Sequence, residues 1–374
     1  MENARVSALN DYVADLENTK KYIPSLDGLR GISIIIVASS HFISKNVPGG
    51  LGVYIFFIVS GFLIARNLYV EMDLEKSINL KQFYIRRFFR LYPVAILYAI
   101  TVVGFFYALR IKIDYNQPLS ALFYYSNYYY SNMFSGYGKS EPLMPFTFFW
   151  SLSIEEHFYF LFPAIFVIFK GRARYIGLCL LAVIIGCLMA RVGFASRHPD
   201  LLKYPYIYFR SEFRIDSIAF GVLIASFCAT SRGRICLRSI AIPPIFWLSL
   251  AVLASCLLIR DVYFRETLRY SLIGVCLTAM IVCILFSKKM KFVQLVLNNV
   301  ALSFIGRLSY SIYIWHYISI YIVEYLELKE SEIIVVSAEF GLSIIMALAS
   351  YNLIERPFVK FGRYLNNFSR APIS

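Results

Sequence analysis

The stretch YIGLCLLAVIIGCLMARVG (residues 175–193) carries a single charged residue, Arg191, close to its end. A helix needs about 20 mostly apolar residues to cross the hydrocarbon layer of a bilayer, and this stretch has that length. Nine further stretches of the chain are similar in length and character. The sequence therefore predicts an all-α, polytopic membrane bundle of about ten transmembrane helices. The predicted spans are residues 27–45, 50–69, 91–110, 149–169, 175–193, 213–230, 242–260, 267–286, 298–325 and 332–355.

The overall composition agrees with a membrane protein. Hydrophobic residues make up 59% of the 374 residues, whereas soluble domains contain about 45–50%. The excess favours a chain that is surrounded by lipid. The net charge of +14 would indicate a nucleic-acid partner in a soluble protein. In a membrane protein, the interpretation of this charge depends on where the basic residues lie relative to the helices. We expect membrane lipids, and no nucleic acid, as neighbours.

The basic residues also indicate how the helices are oriented. Loops that face the cytoplasm carry an excess of Lys and Arg, and most of the 37 basic residues fall on the side of the N-terminus. The connection 191–214 weakens this bias, because it places several arginines on the opposite side. We predict that both termini are cytoplasmic, with residues 1–23 and 358–374 as tails of a single membrane domain, 1–374. The first apolar helix would serve as an uncleaved insertion signal.

Missing motifs argue against several classes of protein. The seven cysteines lie mostly in apolar stretches and show no C-x-x-C spacing, so we expect small core residues rather than a disulfide framework. The chain contains no G-x-S-x-G motif, no P-loop and no His/Cys cluster at zinc spacing. This argues against a serine hydrolase, an ATP-driven pump and a metalloprotease. We predict no metal site and no bound cofactor.

Ionisable residues within the predicted helices are functional candidates, because a charge at a helix centre costs about 2.5–3.5 kcal/mol on insertion scales. Arg30 and His41 are eleven residues apart in the first helix, which places them on nearly the same face about 16 Å apart. Arginine can bind a phosphate, and histidine can accept a proton from a hydroxyl. Taken alone, Arg30 is better explained as an interfacial anchor beside Asp27, whereas His41 is a poor lipid-facing residue.

Two further groups have both a structural and a functional interpretation. Ser60 and Gly61 lie mid-helix, where small residues allow close approach of another backbone or of an elongated ligand. Helix packing is the simpler explanation. Arg87 and Arg90 are spaced i, i+3 before the third predicted span and share a helix face. They could clamp a polyphosphate, although a basic cluster at a cytoplasmic helix entry has the same pattern.

The remaining candidates belong to later helices. The stretch WSLSIEEHFY (residues 150–159) places two carboxylates and a histidine at the start of an apolar helix. We favour a functional role for Glu155, whereas Glu156 is also explained as part of an N-terminal cap. Glu355 and Arg356 are interpreted as a structural helix terminus. Further candidates for acceptor binding or for support of the site are Trp150, Ser153, Arg214, Asp216, Tyr313 and His316.

Five motifs occur along the chain in a fixed order. They are Arg30-x10-His41, Phe56-Phe57-x-x-Ser60-Gly61, Arg87-x-x-Arg90-Leu91-Tyr92-Pro93, Trp150-Ser151-Leu152-x-x-Glu155-Glu156-x-Phe158-Tyr159 and Ser309-Tyr310-Ser311-x-Tyr313-x-Trp315-His316. The set resembles the bacterial integral-membrane acyltransferase-3 family, whose members include O-acetyltransferases of lipopolysaccharide O-antigen, exopolysaccharides, peptidoglycan and nodulation factors. The resemblance extends from about Pro24 to Pro357.

The resemblance implies an acyl-CoA-dependent O-acyltransferase of the bacterial cytoplasmic (inner) membrane. Its donor would be an acyl-CoA, usually acetyl-CoA, and its acceptor a saccharide hydroxyl, lipid-linked or at the cell surface. By position, Arg30 and His41 resemble the family's essential pair, Arg87 and Arg90 its donor-binding arginines, and Glu155 its acidic position. Some relatives carry an additional extracytoplasmic hydrolase-like domain. The 374 residues contain none, so we expect this chain to act alone or with a separate partner.

These assignments lead to a mechanistic hypothesis. The arginines bind the CoA phosphates, and the pantetheine thioester passes Ser60 and Gly61 towards His41. His41, oriented by Glu155, acts either as a general base on the acceptor hydroxyl or as a covalent acyl relay. A transporter or flippase for a lipid-linked saccharide is the alternative, since intramembrane charges within about ten spans suit it equally well. The ordered motifs and the arginine pair favour acyl transfer.

Overall fold

The computed structural model describes residues 22–137, 143–326 and 331–368. Every regular element within these ranges is helical, so the predicted all-α class is confirmed. The predicted N-terminal tail, 1–23, lies outside the described residues except for its last two positions.

Short connections join the helices along the described ranges. In chain order the α-helices are α1 (Pro24–Phe42), α2 (Gly49–Glu75), α3 (Leu80–Ala108), α4 (Asn116–Leu122), α5 (Ser126–Asn132), α6 (Phe149–Ile168), α7 (Ala173–Arg197), α8 (Tyr206–Phe209), α9 (Ser211–Arg214), α10 (Asp216–Cys228), α11 (Ser231–Ile240), α12 (Pro243–Leu258), α13 (Val262–Glu266), α14 (Leu268–Phe286), α15 (Lys291–Leu297), α16 (Val300–Tyr325), α17 (Glu332–Ser350) and α18 (Arg356–Phe368). There are also 3₁₀ helices at Pro199–Lys203 and Lys288–Met290, and π-helical segments at Met133–Tyr137 and Tyr351–Glu355.

Local sequence signals account for several helix starts. The side chains of Asn79 and Asn299 accept hydrogen bonds from backbone N–H groups in the first turns of α3 and α16, and Thr230 caps α11 in the same way. These caps satisfy N–H groups that have no partner inside the helix. Because Asn79 caps α3, this helix begins eleven residues before the predicted span 91–110. The nearby arginines therefore lie inside a helix and not in front of one.

Within the described ranges, six helices are long and apolar enough to cross a membrane, or up to eight if each of two bent pairs counts as one span. The predicted count of ten is therefore not confirmed. The two predicted spans that do not qualify, 27–45 and 242–260, correspond to α1 and α12. Asp27 and Arg30 lie within the 19 residues of α1, and α12 has only 16 residues. The qualifying helices are those of a multi-pass membrane protein.

Helix α1 lies at the centre of the bundle, packed against both α2 and α16. Helix α2 also packs against α10, and there the two backbones approach closely. A Cβ atom on Gly61 would lie 2.2 Å from the carbonyl oxygen of Ile218, and one on Gly221 would lie 1.9 Å from that of Ile58. Small residues allow such contact between membrane helices. Gly61 is therefore a packing residue.

The bundle has two ends with different side chains. Helix α2 ends and α3 begins at the arginine end, where Arg86 forms an ion pair with Glu71 across a distance of 3.0 Å. Helix α1 begins at this end with Asp27 and Arg30 and runs to the opposite end, where His41 lies in its last turn. We call the two ends the arginine end and the His41 end.

The chain remains helical beyond residue 355. Helix α17 continues through the π-helical segment into α18, whose Phe358 and Phe361 rings contact the ring of Phe89 on α3. The predicted helix terminus at Glu355 and Arg356 is therefore wrong. Proline lacks a backbone N–H and normally disrupts a helix, but here the wider π turn precedes it. The first part of the predicted C-terminal tail, through residue 368, accordingly forms a helix packed on α3.

We predict that Gly221→Ala destabilises the protein, because the added methyl group would overlap the α2 backbone. Overpacking of this kind costs about 1–3 kcal/mol, and we expect a lower thermal unfolding midpoint in detergent. Gly104→Ala is the matched control, since a Cβ there meets nothing within 4 Å and alanine has the higher helix propensity. Equal midpoints for the two variants would contradict the close α2–α10 contact.

Candidate active site

Three arginines meet at the arginine end. Arg30 lies on α1, Arg87 and Arg90 lie one turn apart on α3, and all three line a cavity of ≈ 70 Å³ that we call the arginine cavity. The other lining residues are Phe56, Ser60, Leu63, Ile64, Asn67, Leu91, Glu155, Tyr159 and Tyr310. The structure thus brings Ser60 and Glu155 together with the three arginines, whereas the sequence-based hypothesis placed Glu155 beside His41.

The two arginines of α3 have different surroundings. The Nε atom of Arg87 donates to Oε1 of Glu156 at 2.7 Å, and its guanidinium carbon lies 3.4 Å from the centroid of the Tyr159 ring. Glu156 is therefore an ion-pair partner and not a cap. Arg90 is exposed and has no ion-pair partner within the described ranges. Of the pair, Arg87 is held in place and Arg90 is available to an anionic ligand.

Arg30 is buried rather than placed as an interfacial anchor. Its side chain is 9% exposed, and its guanidinium carbon lies 5.3 Å from the centroid of the Phe56 ring. Asp27 is 3.8 Å away, a long separation for an ion pair. The Nε atom of Arg30 has no hydrogen-bond partner within the parts of the chain that are described. Arg30 therefore presents an incompletely paired cation to the arginine cavity.

Glu155 lies with the arginines and not with His41. Its side chain is buried, and the Tyr159 hydroxyl donates to its Oε1 at 3.2 Å. Along α6, Glu155 is seven residues from Phe148, whose ring contacts His316 at the His41 end. Seven residues correspond to about 10 Å of helix rise. The proposed orientation of His41 by Glu155 is therefore not supported by their positions.

Three cavities follow one another along the bundle. The mouth cavity, ≈ 280 Å³, is lined at the arginine end by residues of α2, α3 and α18, including Arg86 and Arg363. The inner cavity, ≈ 20 Å³, lies among α1, α2, α6 and α16. The mouth and arginine cavities share Ile64, Asn67, Arg87 and Arg90, and the arginine and inner cavities share Phe56, Glu155 and Tyr310. The shared walls make one row, although the inner cavity has room for only about one water molecule.

His41 and His316 form a pair at the other end of this row. His41 is exposed, and its ring centroid lies 5.2 Å from that of His316 and 5.1 Å from that of Tyr317. His316 is buried, with Nδ1 2.6 Å from the carbonyl oxygen of Tyr313. A carbonyl only accepts hydrogen bonds, so Nδ1 carries the proton and Nε2 of the neutral ring carries a lone pair. No described residue donates a hydrogen bond to this Nε2 atom.

Tyr313 separates the inner cavity from the histidines. Its ring lies 5.4 Å from that of His316, and it also lines the inner cavity. Its hydroxyl lies 2.6 Å from the Ser151 hydroxyl and 2.9 Å from the carbonyl oxygen of Phe148. The predicted supporting residue His316 is thus a neighbour of His41, and Tyr313 contacts His316 in turn.

Glu355 is a site residue that sequence reasoning missed. It lies in the π-helical segment, is buried, and accepts a hydrogen bond from the Ser311 hydroxyl at 2.7 Å. Its carboxylate interacts electrostatically with Arg30 and Arg90. Single π turns occur frequently at functional sites, but an isolated π turn has no sequence signature strong enough to have suggested this role.

Two other predicted positions do not face the cavities. Gly61 was proposed as a donor-binding residue, but it faces the backbone of Ile218 on α10, because it points about 100° away from Ser60 on the helix. Ser153 was proposed as an acceptor or supporting residue. It is fully buried, and its hydroxyl donates to the carbonyl oxygen of Phe149 at 3.0 Å, which is a bond within its own helix.

Arg214 and Asp216 are close in sequence but belong to different contacts. The Arg214 guanidinium is surrounded by four aromatic rings and 1% exposed. Its carbon lies 4.3, 5.0, 5.6 and 5.8 Å from the ring centroids of Tyr270, Tyr208, Tyr54 and Trp150. Cation–π contacts stabilise a desolvated arginine. Burial raises the pKa of the Tyr208 phenol, so this ring stays neutral beside the cation.

Asp216 pairs instead with Arg191, the one charged residue of the apolar stretch 175–193. Nη2 of Arg191 lies 2.8 Å from Oδ2 of Asp216, and both side chains are 0% exposed. Arg191 also donates to the Ser271 hydroxyl and to the carbonyl oxygen of Phe213. Sequence analysis had counted Arg191 among loop residues. A lone charge inside an apolar stretch was the signal that could have identified it.

Comparisons with known proteins identify the family of this chain. A family model described as an acyltransferase domain matches residues 23–352. A Staphylococcus aureus (strain COL) protein that carries the provisional name O-acetyltransferase is 32% identical over 362 residues, covering 91% of this chain and 58% of the relative. The peptidoglycan O-acetyltransferase OatA of Listeria monocytogenes serovar 1/2a is 28% identical over 368 residues, covering 94% and 58%.

The chain belongs to the acyltransferase-3 family. It spans less than two thirds of the length of the curated relatives it matches, including the O-acetyltransferase OatA of Staphylococcus aureus (strain NCTC 8325 / PS 47), which is 30% identical over 361 residues and covers 91% of this chain and 58% of that relative. No solved structure matches the chain. The predicted membership of this family is confirmed.

We predict that Asp216→Ala strongly destabilises the protein. Removing one partner of a buried ion pair leaves an uncompensated charge and costs about 3–5 kcal/mol. Glu212→Ala is the control, because Glu212 pairs with Arg210 at a similar distance but is 42% exposed, and exposed pairs contribute about 0–1 kcal/mol. Thermal unfolding in detergent measures both. A similar small shift for the two variants would exclude a structural role for the Arg191–Asp216 pair.

Proposed function

We propose that this acyltransferase moves an acetyl group from acetyl-CoA, bound at the arginine end, to a saccharide hydroxyl at the His41 end. The observation that carries the proposal is the row of three cavities with shared walls. It begins among arginines, of which Arg90 and Arg363 have no ion-pair partner within the described ranges, and ends at a pair of histidines. The arginine end matches the phosphates of an anionic donor. The histidine end matches a base that acts at the far end of the donor's long arm.

The arginine end suits the phosphates of CoA. The mouth cavity has four arginines in its wall against one carboxylate, that of Glu71, which already pairs with Arg86. Arg90 and Arg363 have no ion-pair partners within the described ranges. The planar guanidinium group binds phosphate oxygens in a bidentate manner. Arg90 and Arg363 would bind the donor phosphates, with Arg87 held beside them by Glu156.

The pantetheine arm would follow α1 through the row. Arg30 and His41 lie on nearly one face of α1, about 16 Å apart, and the arm is a linear chain that can span such a distance. Ser60 and Glu155 line its first part. The inner cavity is too narrow for it, so passage requires the Tyr310 and Tyr313 side chains to rotate.

His41 would carry out the chemistry at the end of the row. In direct transfer, it takes the proton of the acceptor hydroxyl while that oxygen attacks the thioester carbonyl, and CoA leaves as a thiolate that takes up a proton. In a relay, a His41 nitrogen attacks first, the C–S bond breaks, and the acetyl group then passes to the hydroxyl. In either route, His316 offers its Nε2 lone pair next to His41 and positions it.

The proposed acceptor and the proposed membrane location rest on the chemistry of the site and on the relatives of the chain. A His41 that is exposed at its end of the bundle can reach a bulky saccharide outside the helices. Among the relatives, OatA of Listeria monocytogenes is named for peptidoglycan, and from it we carry over only the class of acceptor, a saccharide hydroxyl. CoA is made and kept in the cytoplasm, so the arginine end would face the cytoplasm from the bacterial cytoplasmic membrane. The excess of basic residues predicts that both termini are cytoplasmic. The start of α1 and helix α18 both lie at the arginine end, so this prediction favours the same orientation.

We predict that Arg90→Ala raises the KM for acetyl-CoA by roughly 10- to 100-fold, because a hydrogen bond to a charged group contributes about 1.5–3 kcal/mol. Initial rates of CoA thiol release in membrane vesicles give KM and kcat separately. Arg172→Ala is the matched control, an exposed arginine at the same end that lines none of these cavities. If both variants change only the amount of protein, the arginines at this end determine the orientation of the helices in the membrane and do not bind the donor.

We predict that His41→Ala abolishes transfer, with a loss of at least about 10²-fold, while protein abundance is unchanged. The readout is the O-acetyl signal in NMR spectra of the cell's glycans, compared between wild type, His41→Ala and a deletion. Loss of O-acetyl groups with intact surface polymer supports acyl transfer, whereas loss of the polymer itself would indicate transport. Mass spectrometry after incubation with acetyl-CoA alone separates the two routes, because only the relay leaves acetyl on a His41 peptide.

A further inference from the structure

The helix α11 has the character of an interfacial helix. It follows α10 after a bend of 115°, begins at the Thr230 cap, and therefore runs across the end of the bundle. It carries Arg232, Arg234 and Arg238, while Ile235 is 63% exposed. A short helix that bends away from a membrane-spanning helix and carries basic residues beside exposed aliphatic side chains lies in the plane of a membrane surface.

A groove lies on the outer side of this bend. It has a volume of ≈ 440 Å³ and is formed by α7, α10 and α11. Its lining residues are Ala173, Arg174, Gly177, Leu178, Leu181, Leu223, Ser226, Phe227, Thr230, Arg232, Gly233 and Cys236. The walls are thus mainly apolar, with two arginines where the first turns of α7 and α11 meet. No acidic residue belongs to the lining.

The two arginines are not neutralised by the protein. Arg174 and Arg232 are exposed, and neither has an ion-pair partner within the described ranges. The groove continues from them along α7, past Leu178 and Leu181, both of them partly or fully exposed on the side of the bundle. It therefore combines a cationic end with an apolar side that is open to the bilayer.

We propose that this groove binds an anionic phospholipid of the surrounding leaflet. The phosphate would lie between the guanidinium groups of Arg174 and Arg232, and an acyl chain would lie along the leucines of α7 and Leu223 of α10. Anionic headgroups are attracted to basic residues at the membrane surface. A free phosphate would satisfy the arginines but would leave the apolar wall unused, which is why the groove favours a lipid.

The site is separate from the row of cavities described above. The groove lies on the face of α10 that meets α7, whereas the row lies on the far side of α2. The two have no lining residue in common. A bound lipid would hold α11 against the bundle, and its presence does not depend on the acyl-transfer proposal.

The first test compares two double variants by native mass spectrometry of the full chain in detergent. Arg174→Gln with Arg232→Gln removes both groove cations, and Arg172→Gln with Arg238→Gln removes the same charge from the position before α7 and from the last turn of α11, outside the groove. We expect phosphatidylglycerol adducts several-fold more abundant than phosphatidylcholine adducts on wild type and on the second variant, and loss of this preference in the first. Equal loss in both variants, or displacement of the lipid by inorganic phosphate, would overturn the proposal.

The second test changes the apolar wall and leaves every charge in place. A Cβ on Gly177 meets only Leu223 Cδ1, at 4.0 Å, whereas one on Gly186 of the same helix meets nothing within 4 Å. Gly177→Phe therefore fills the groove, and Gly186→Phe is its matched control. We expect lipid occupancy to fall several-fold in the former only, with both variants monodisperse. Unchanged occupancy in Gly177→Phe would show that the lipid does not bind in the groove.

Discussion

The close backbone contact between α2 and α10 determines which residues can form the candidate site. Gly61 and Gly221 allow the two helices to approach so closely that a methyl group on either would overlap the partner's backbone. Successive helical residues point about 100° apart, so turning Gly61 towards α10 turns Ser60 towards α1 and α3. Ser60, Ile64 and Asn67 then follow at i, i+4 and i+7 and line the arginine cavity. The row of cavities is thus a consequence of how α2 packs on its other side.

Within this frame, the buried charges fall into two groups. Arg191 and Asp216 neutralise each other away from the cavities, and Arg214 is stabilised by aromatic rings. These contacts are consistent with holding α7, α9 and α10 together, since an unpaired charge in the interior is costly. The arginines at the row of cavities are different: Arg30 lies 3.8 Å from Asp27, Arg90 has no ion-pair partner within the described ranges, and Glu355 acts on both only at a distance. Positive charge that the protein leaves unpaired in a cavity favours an anionic ligand.

Length and apolar character were sufficient to predict the helical class and most of the spans, because the bilayer requires long apolar helices with internally satisfied backbones. The spacing of Arg87 and Arg90 was likewise sufficient to place them on one face. The partners of these residues were not predictable. Glu156 is 69 residues from Arg87, and Glu355 reaches the arginines only because a π turn carries α17 onward into α18. Such pairs depend on which helices are neighbours, and a single sequence does not encode that directly.

The inner cavity is the smallest of the three in the row, and the hydrogen bonds of Tyr313 in its wall bear on how the path would open without disturbing the base. The Tyr313 hydroxyl forms hydrogen bonds with the Ser151 hydroxyl and with the carbonyl oxygen of Phe148. The backbone carbonyl oxygen of Tyr313 accepts a separate hydrogen bond from Nδ1 of His316. Rotation of the side chain breaks the two hydroxyl contacts, each worth about 0.5–1.5 kcal/mol net, and moves the ring away from those of Phe148 and His316, but it leaves the backbone hydrogen bond to Nδ1 in place. A shift of the α16 backbone would instead release Nδ1 and lose the tautomer that leaves Nε2 with its lone pair. Under the proposed function, opening by side-chain rotation would admit the donor arm and would preserve His316 in the form that can support His41.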